Sequence, residues 1–246
     1  MDFLQKTYTM GRLLRFIPFG DRILTNSAVV LSGGLSTRLG QDKGLLKLGE
    51  KPLVRYVLKA VDRLVEERIV VVSSKQQVEV YERACGDLAT ILTDKGKEHS
   101  PLAGTLTGLQ EAQGEYSLVL PCDTPFLSRN ILSLLLELSP GKNACVPRWP
   151  NGYVEPLQAV YRTQCALKAC EAALHEKQLD VKAMLDRLQC VRYVSTLVLQ
   201  QLDPDLKTFF NINTLQDLKK AEQILANKAQ HPTTSLDRKG RVKQAS

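Results

Sequence analysis

The chain is poor in the residues that build metal cages and disulfide frameworks. Its 246 residues include three histidines and six cysteines. Cys85, Cys122, Cys145, Cys165, Cys170 and Cys190 stand far apart, with no CxxC pair and no histidine-rich partner segment. That argues against a zinc site or a disulfide framework, and reduced thiols in a cytoplasmic protein are the simplest account. No apolar run approaches the length of a membrane span. Arg12 and Arg15 interrupt the apolar stretch around Leu13, Leu14, Phe16 and Ile17, which argues against a signal peptide. Also missing are the GxxxxGK[ST] loop, the GxGxxG fingerprint, a Ser-His-Asp set and a paired acid–base carboxylate motif. His99, His175 and His231 lack neighbours that would give them a ligand role.

The net charge of +7 is not spread over the chain. The first 26 residues carry four Lys/Arg against two Asp/Glu, and residues 227–246 carry five against one, so the body between them is close to neutral. A basic tail suits loose contact with polyanions, but a body without a basic face argues against nucleic acid as the main ligand. Residues 27–226 read as one α/β domain, 1–26 as an N-terminal extension, and 227–246 as a polar tail with no apolar periodicity, expected to be disordered.

What is present centres on Ser27 to Gly44, SAVVLSGGLSTRLGQDKG. Ala28 to Leu31 is a short β-branched apolar run, the composition of a strand buried on both faces. It stops at Ser32-Gly33-Gly34, and paired glycines at a strand's carboxyl end let backbone N–H groups approach an anion. Arg38 and Lys43 follow at a spacing that places cations around a polyphosphate. An ordinary glycine turn from strand to helix is the plainer alternative.

Further along, apolar strands over Ile69 to Val72, Ala89 to Leu92, Ser117 to Leu120, Ala144 to Val146 and Val191 to Val194 alternate with helical segments. The helices are expected from about Leu53 to Leu64, Val78 to Ala84, Pro101 to Gln113, 130–138, Thr163 to Lys177, Val181 to Leu188 and Leu215 to Ala226. Val154 to Tyr161 is expected to be extended, Leu45 to Leu48 a short extended piece, and Phe209-Phe210 a strand. This alternation predicts a three-layer, mostly parallel sheet with helices on both faces, in the Rossmann-like manner. Ligands then bind outside the carboxyl ends of the strands. The polar clusters fall there: Ser32 to Lys43, Ser73, Asp94 and Asp123 follow the first four strands.

Asp123 sits between two prolines in Pro121-Cys122-Asp123-Thr124-Pro125. A carboxylate fixed beside a triphosphate is what Mg²⁺ requires, because that ion takes one or two carboxylates and completes its shell with phosphate and water. A helix cap is the alternative for Asp123, a turn residue for Asp94, a surface lysine for Lys43. Asn211 and Asn213 flank Ile212 and point to one side, toward a metal, water or phosphate, unless they cap the last helix; Thr214 with Asp217 fits a capping box. Glu155-Pro156-Leu157 suits either a second substrate or an edge strand. With no protein nucleophile in view, the residues suit a reaction whose nucleophile arrives on the substrate.

LSGGLSTRLGQDK resembles the LAGGxSxRMGxDK signature of small nucleotidyltransferases. Together with PLAG at 101–104, PCDTPF at 121–126, EPL at 155–157 and NINT at 211–214, it resembles the molybdenum cofactor guanylyltransferases across about residues 27–226. The resemblance implies a nucleotidyltransferase fold and Mg²⁺-dependent transfer of GMP from GTP to the terminal phosphate of molybdopterin, with pyrophosphate released. It implies backbone contacts to the nucleotide from Leu31, Ser32 and Gly33 and places Lys43 on the phosphates, to which the loop reading adds Gly34 on the nucleotide and Arg38 as a second cation. Asp94 would bind guanosine, and Asp123 would hold the metal. Ser73 stands where the family often has an asparagine against the nucleotide. Arg148, Glu155, Asn211 and Asn213 lie in segments expected to face the acceptor. Molybdoenzymes or other cofactor-biosynthesis proteins are the implied protein partners. A cytidylyltransferase of the same pathway, a cobinamide-phosphate guanylyltransferase and a non-catalytic nucleotide-binding regulator remain alternatives. The LSGG loop and CDTP disfavour the first, PLAG and CDTP the second, and the pairing of Lys43 with Asp123 the third.

Overall fold

A computed structural model describes residues 25–32, 35–36, 41–94 and 100–230. The expectations for the extension up to residue 24, for Gly33, Gly34, Arg38 and His99, and for the tail beyond residue 230 lie outside the described residues. The chain opens with β1 (Asn26–Leu31), then two short antiparallel ladders, β2 (Leu35–Ser36) with β3 (Gln41–Asp42) and β4 (Lys47–Leu48) with β5 (Lys51–Pro52). There follow α1 (Leu53–Val61), β6 (Glu67–Val72), α2 (Lys75–Cys85), β7 (Thr90–Thr93), α3 (Pro101–Glu111) and β8 (Tyr116–Pro121). The second half runs α4 (Arg129–Glu137), β9 (Ala144–Arg148), β10 (Ala159–Arg162), α5 (Thr163–His175), α6 (Val181–Leu185), β11 (Val191–Ser195), α7 (Thr196–Leu199) and α8 (Leu215–Gln230).

Among the described residues, seven strands form one sheet in the order β11-β9-β10-β8-β1-β6-β7. Neighbours are parallel except that β10 is antiparallel to both β8 and β9. The side-chain period of two sorts the apolar residues between two layers. Ala28, Val30, Val70, Val72, Leu118 and Leu120 pack under α1, α2 and α4. Val119, Ala144 and Val146 face α3, α5 and α6, while Val29, Ile69 and Val71 form an adjoining cluster. Helices on both faces explain why β1 and β8 read as continuous hydrophobic runs rather than alternating ones.

Local signals set the helix starts. Ser100 caps α3 by accepting from the Ala103 N–H at 3.1 Å, with Pro101 in the first turn. Thr214 and Asp217 form the reciprocal cap of α8, whose last turn reaches Gln230 rather than Ala226. Ser195 caps the short α7, an element the apolar periodicity did not suggest. Three expectations are corrected. Phe209-Phe210 is no strand: Lys207–Phe209 is a 3-10 turn, with Phe209 against Trp149 and Phe210 against Phe126, so the aromatics fill gaps instead of joining a ladder. Lys43–Leu45 is likewise a 3-10 turn, which leaves only Lys47–Leu48 extended. Between Val154 and Tyr161 an isolated bridge pairs Val154 with Arg148, and the continuous ladder begins at Ala159, beyond Pro156, which has no N–H to donate.

The third helix lies close on β1 because it carries glycine where they cross. A Cβ at Gly108 would stand 2.2 Å from Val29 Cγ1, whereas one at Gly104 would meet Leu31 Cδ2 at 3.5 Å, an ordinary contact. Val29 is stiff and fully buried. Gly108→Ala should therefore lower stability by about 1–3 kcal/mol through overpacking, although alanine is the better helix former. Gly104→Ala should be neutral or stabilising by up to about 1 kcal/mol. Urea denaturation of the two variants checks the opposite signs.

Candidate active site

The parallel ladder continues one residue past the strands on the carboxyl edge of the sheet. The Ser32 N–H donates to the Val71 carbonyl at 2.8 Å, the Asp94 N–H to Val72 at 2.7 Å, and the Cys122 N–H to Leu31 at 3.1 Å. The residues that follow β1, β7 and β8 are thus fastened to the sheet rather than left on free loops. They border a cleft lined by Leu31, Lys43, Ser73, Asp94, Asp123 and the first turn of α3. The N-terminus of α3 brings the positive end of its dipole to that cleft, a setting that favours an anion.

Lys43 and Asp123 meet there. Lys43 Nζ donates to Asp123 Oδ2 at 3.0 Å and to Asn213 Oδ1 at 2.6 Å. The lysine and aspartate side chains are 22% and 14% exposed, so the pair is not a screened surface contact. Asp123 is held by its own turn, in which Thr124 Oγ1 donates to the Pro121 carbonyl, and by the Ile212 N–H, which donates to the Asp123 carbonyl at 3.0 Å. Ile212 is fully buried with Leu46, Leu48, Leu53 and Ala221. That burial anchors the Asn211–Thr214 strap and delivers Asn213 to the lysine.

Asp94, at the end of β7, accepts from Thr107 Oγ1 on α3 at 3.2 Å, which orients its carboxylate at the rim of the cleft. Ser32 is fully buried; its N–H is engaged by Val71 and its hydroxyl lies 2.7 Å from the Tyr81 hydroxyl. Its side chain supports the loop from behind. Arg148 extends from β9 over the Tyr193 ring, 5.4 Å from the centroid. Glu155 accepts from Trp149 Nε1 at 2.7 Å, and burial raises its pKa against the lowering effect of that bond. Asn211 is exposed. Of the four residues expected near the acceptor, Asn213 joins the Lys43 cluster, while Arg148 packs on Tyr193 of β11 and Glu155 bonds to Trp149 in the β9–β10 connection.

Sequence reasoning passed over Asp42, Gln77, Tyr81 and Thr107. Asp42 accepts from the Gly44 N–H at 3.0 Å, which caps the turn that begins at Lys43. Its place in the DK pair that ends the LSGGLSTRLGQDK motif was its signal in the chain; Tyr81 reads as any aromatic on a helix.

The groups that could act as nucleophiles are muted. Burial first, and the Asp123 carboxylate next, push the Cys122 thiol up to about 12, so it stays protonated at neutral pH. Among the described residues no three His, Cys, Asp or Glu side chains cluster as a metal cage. The two cleft carboxylates, Asp94 and Asp123, with no histidine or cysteine cluster beside them among the described residues, fit an ion that takes most of its ligands from phosphate and water and do not fit zinc. The arrangement is suited to gripping and neutralising a polyphosphate.

A family model, the MobA-like NTP transferase domain, matches residues 28–191. A Methanosarcina mazei protein named a probable molybdenum cofactor guanylyltransferase is 34% identical over 197 residues, covering 78% of this chain and 88% of that one. The molybdenum cofactor guanylyltransferase of Desulfosudis oleivorans is 31% identical over 201 residues, covering 81% of this chain and 95% of its own. The crystal structure of molybdopterin-guanine dinucleotide biosynthesis protein A from Archaeoglobus fulgidus superposes with a TM-score of 0.70 at 29% identity, covering 82% of this chain and 99% of that one. No helix among the described residues is long and apolar enough to cross a membrane. With the ordered motifs and the mostly parallel sheet in agreement, the chain is a nucleotidyltransferase that belongs to the MobA-like NTP transferase family, among its molybdenum cofactor guanylyltransferases.

Proposed function

We propose that the chain transfers GMP from GTP to the terminal phosphate of molybdopterin and releases pyrophosphate. The observation that carries this is the meeting of Lys43, Asp123 and Asn213 at the sheet's carboxyl edge, beside Asp94 and the α3 N-terminus. An oxygen of the acceptor phosphate bonds to the α-phosphorus of GTP. The bond from that phosphorus to the oxygen bridging toward the β-phosphate breaks, and pyrophosphate leaves with the electron pair. The attacking oxygen is already ionised, so no protein base has to take a proton.

Lys43 neutralises charge on the phosphates as the transfer proceeds, and Asn213 steadies its ammonium. Arg38 supplies a second cation. Leu31 contributes a backbone contact to the nucleotide, the glycines of the motif have the same role, Ser73 borders the nucleotide, and Asp94 takes the guanosine portion. Arg148, Glu155 and Asn211 belong to the acceptor side. Asp123 is the residue that would hold Mg²⁺, which when bound draws charge from the phosphate oxygens. The enzyme works in the cytoplasm and passes its dinucleotide product to a molybdoenzyme or another cofactor-biosynthesis protein.

A panel of GTP, CTP, ATP and UTP with molybdopterin as acceptor tests the reading. GTP alone should release pyrophosphate at a substantial rate; a preference for CTP would overturn guanylyl transfer in favour of the cytidylyl reaction. Asp123→Ala and Lys43→Ala should each lower kcat/KM by about 100–1,000-fold, the scale for losing one preorganised charge-stabilising group. Circular dichroism and thermal melting of both variants should match the unmodified chain, because neither side chain belongs to the buried apolar core. Near-normal pyrophosphate release from Asp123→Ala would remove that residue from the mechanism.

A further inference from the structure

Behind Lys43 lies a chain of hydrogen bonds that the transfer reaction does not itself require. The Tyr81 hydroxyl lies 2.5 Å from Asp42 Oδ1 and 2.7 Å from Ser32 Oγ. A phenol has one proton, and the carboxylate can only accept, so that proton goes to Asp42 and Ser32 must donate to the tyrosine oxygen. The direction is fixed: Ser32 to Tyr81 to Asp42. The other carboxylate oxygen, Oδ2, accepts from Gln77 Nε2 at 2.5 Å. The Gln77 amide cannot flip without loss, because its Oε1 accepts from the Ser74 N–H at 3.0 Å in the capping box of α2.

Asp42 thereby ties three pieces of the protein together: the end of β1 through Ser32, the body of α2 through Tyr81 and Gln77, and the Lys43 turn through the Gly44 N–H. Tyr81 is wholly buried within the apolar cluster under the sheet, so the anchor is rigid. Burial foremost, with the charges near it, raises the phenol's pKa well above its usual value, so it remains a donor at any working pH. The fit at the turn is close. A Cβ at Gly44 would stand 2.1 Å from Ser32 Oγ and 2.3 Å from the Tyr81 hydroxyl. The residue after the lysine is pressed against the tyrosine hydroxyl that holds the residue before it and against the serine hydroxyl that donates to that tyrosine.

We infer that Tyr81, acting through Asp42 with Gln77 as brace, is a positioning residue that sets where the Lys43 ammonium stands. This rests on the phosphate role of Lys43 given above. A merely structural tyrosine would contribute to stability independently of the lysine. A positioning tyrosine matters to catalysis only while the lysine is there to be positioned.

A double-mutant cycle in the full chain separates the two, with pyrophosphate release followed for whichever nucleotide the unmodified chain turns over. Tyr81→Phe, which keeps the buried ring, should lower kcat about tenfold, the scale of a small misplacement of a catalytic group. In a Lys43→Ala background the same change should alter kcat by less than about twofold, since the interaction has already been removed. Gln77→Met removes the second bond to the same carboxylate from a half-buried site and should show the same dependence on Lys43, which covers the case of a poorly folding Tyr81 variant. Equal losses in both backgrounds, or unchanged kinetics for both Tyr81→Phe and Gln77→Met, would overturn the inference while leaving the transfer reaction standing. Unchanged kinetics for Lys43→Ala alone would overturn the phosphate role of the lysine and this inference with it. A CTP preference would overturn guanylyl transfer without touching the coupling.

Discussion

The site depends on one ion pair assembled from distant parts of the chain. Lys43 comes from the segment after β1, Asp123 from the end of β8, and Asn213 from the strap before α8, so their contacts close loops of 80 and 170 residues. Such closure has an entropic cost that only cooperative burial elsewhere can offset. Here the burial is visible. The carbonyl of Asp123 and the N–H of Ile212 meet because Ile212 is sealed among Leu46, Leu48 and Leu53, and those three follow the turn that carries the lysine. The same small apolar cluster holds both sides of the pair in register.

The topology of the sheet does the rest. Four parallel strands side by side, β8, β1, β6 and β7, send their carboxyl ends to one edge, and each end is followed by a residue with polar chemistry. The reversal of β10 matters in a different way. Because that strand runs against its neighbours, its amino-terminal approach, Glu155 to Leu157, comes to the same edge as the exits of β8 and β9, and Leu157 lines the cleft. One antiparallel strand thus adds a wall that parallel crossovers would have placed at the opposite end.

Much of this was legible in the chain. Runs such as Ala28 to Leu31 and Ile69 to Val72 are apolar at every position, which only burial on both faces allows, and the polar residue that ends each run marks the ligand edge. Lys43, Ser73, Asp94 and Asp123 follow from that logic and share one cleft. What could not be read was which side chain touches which. Asn213 looked equally suited to a metal, a phosphate or a helix cap, and its contact with Lys43 depends on where Ile212 is buried. Phe209-Phe210 has the composition of a strand, yet both rings fill gaps beside Trp149 and Phe126, because β propensity reports fit to a pleated surface and none is offered there. Tyr81 carried no signal at all. A helical aromatic with a fully buried ring is the commonest of core residues, and its hydroxyl acquires meaning only once Asp42 and Ser32 are seen beside it.

A catalyst that lends the reaction no nucleophile and no base has placement and charge as its remaining means. Placement must then be exact to a fraction of an ångström, and a lysine is a poor instrument for that: its four-carbon stem is flexible and its ammonium is a point charge without directional preference. The structure answers at both ends of the side chain. At the tip, a carboxylate and an amide oxygen fix the ammonium within the cleft. At the base, the cap from Asp42 and the lack of room for any side chain at position 44 fix the backbone from which the stem departs. Holding only the tip would let the turn drift when a triphosphate draws the ammonium away from Asp123. Holding only the base would leave the stem to sample its rotamers. On the proposed phosphate role the lysine exchanges one anionic partner for another, which needs its origin fixed more firmly than its end, and the buried tyrosine behind the turn suits that asymmetry.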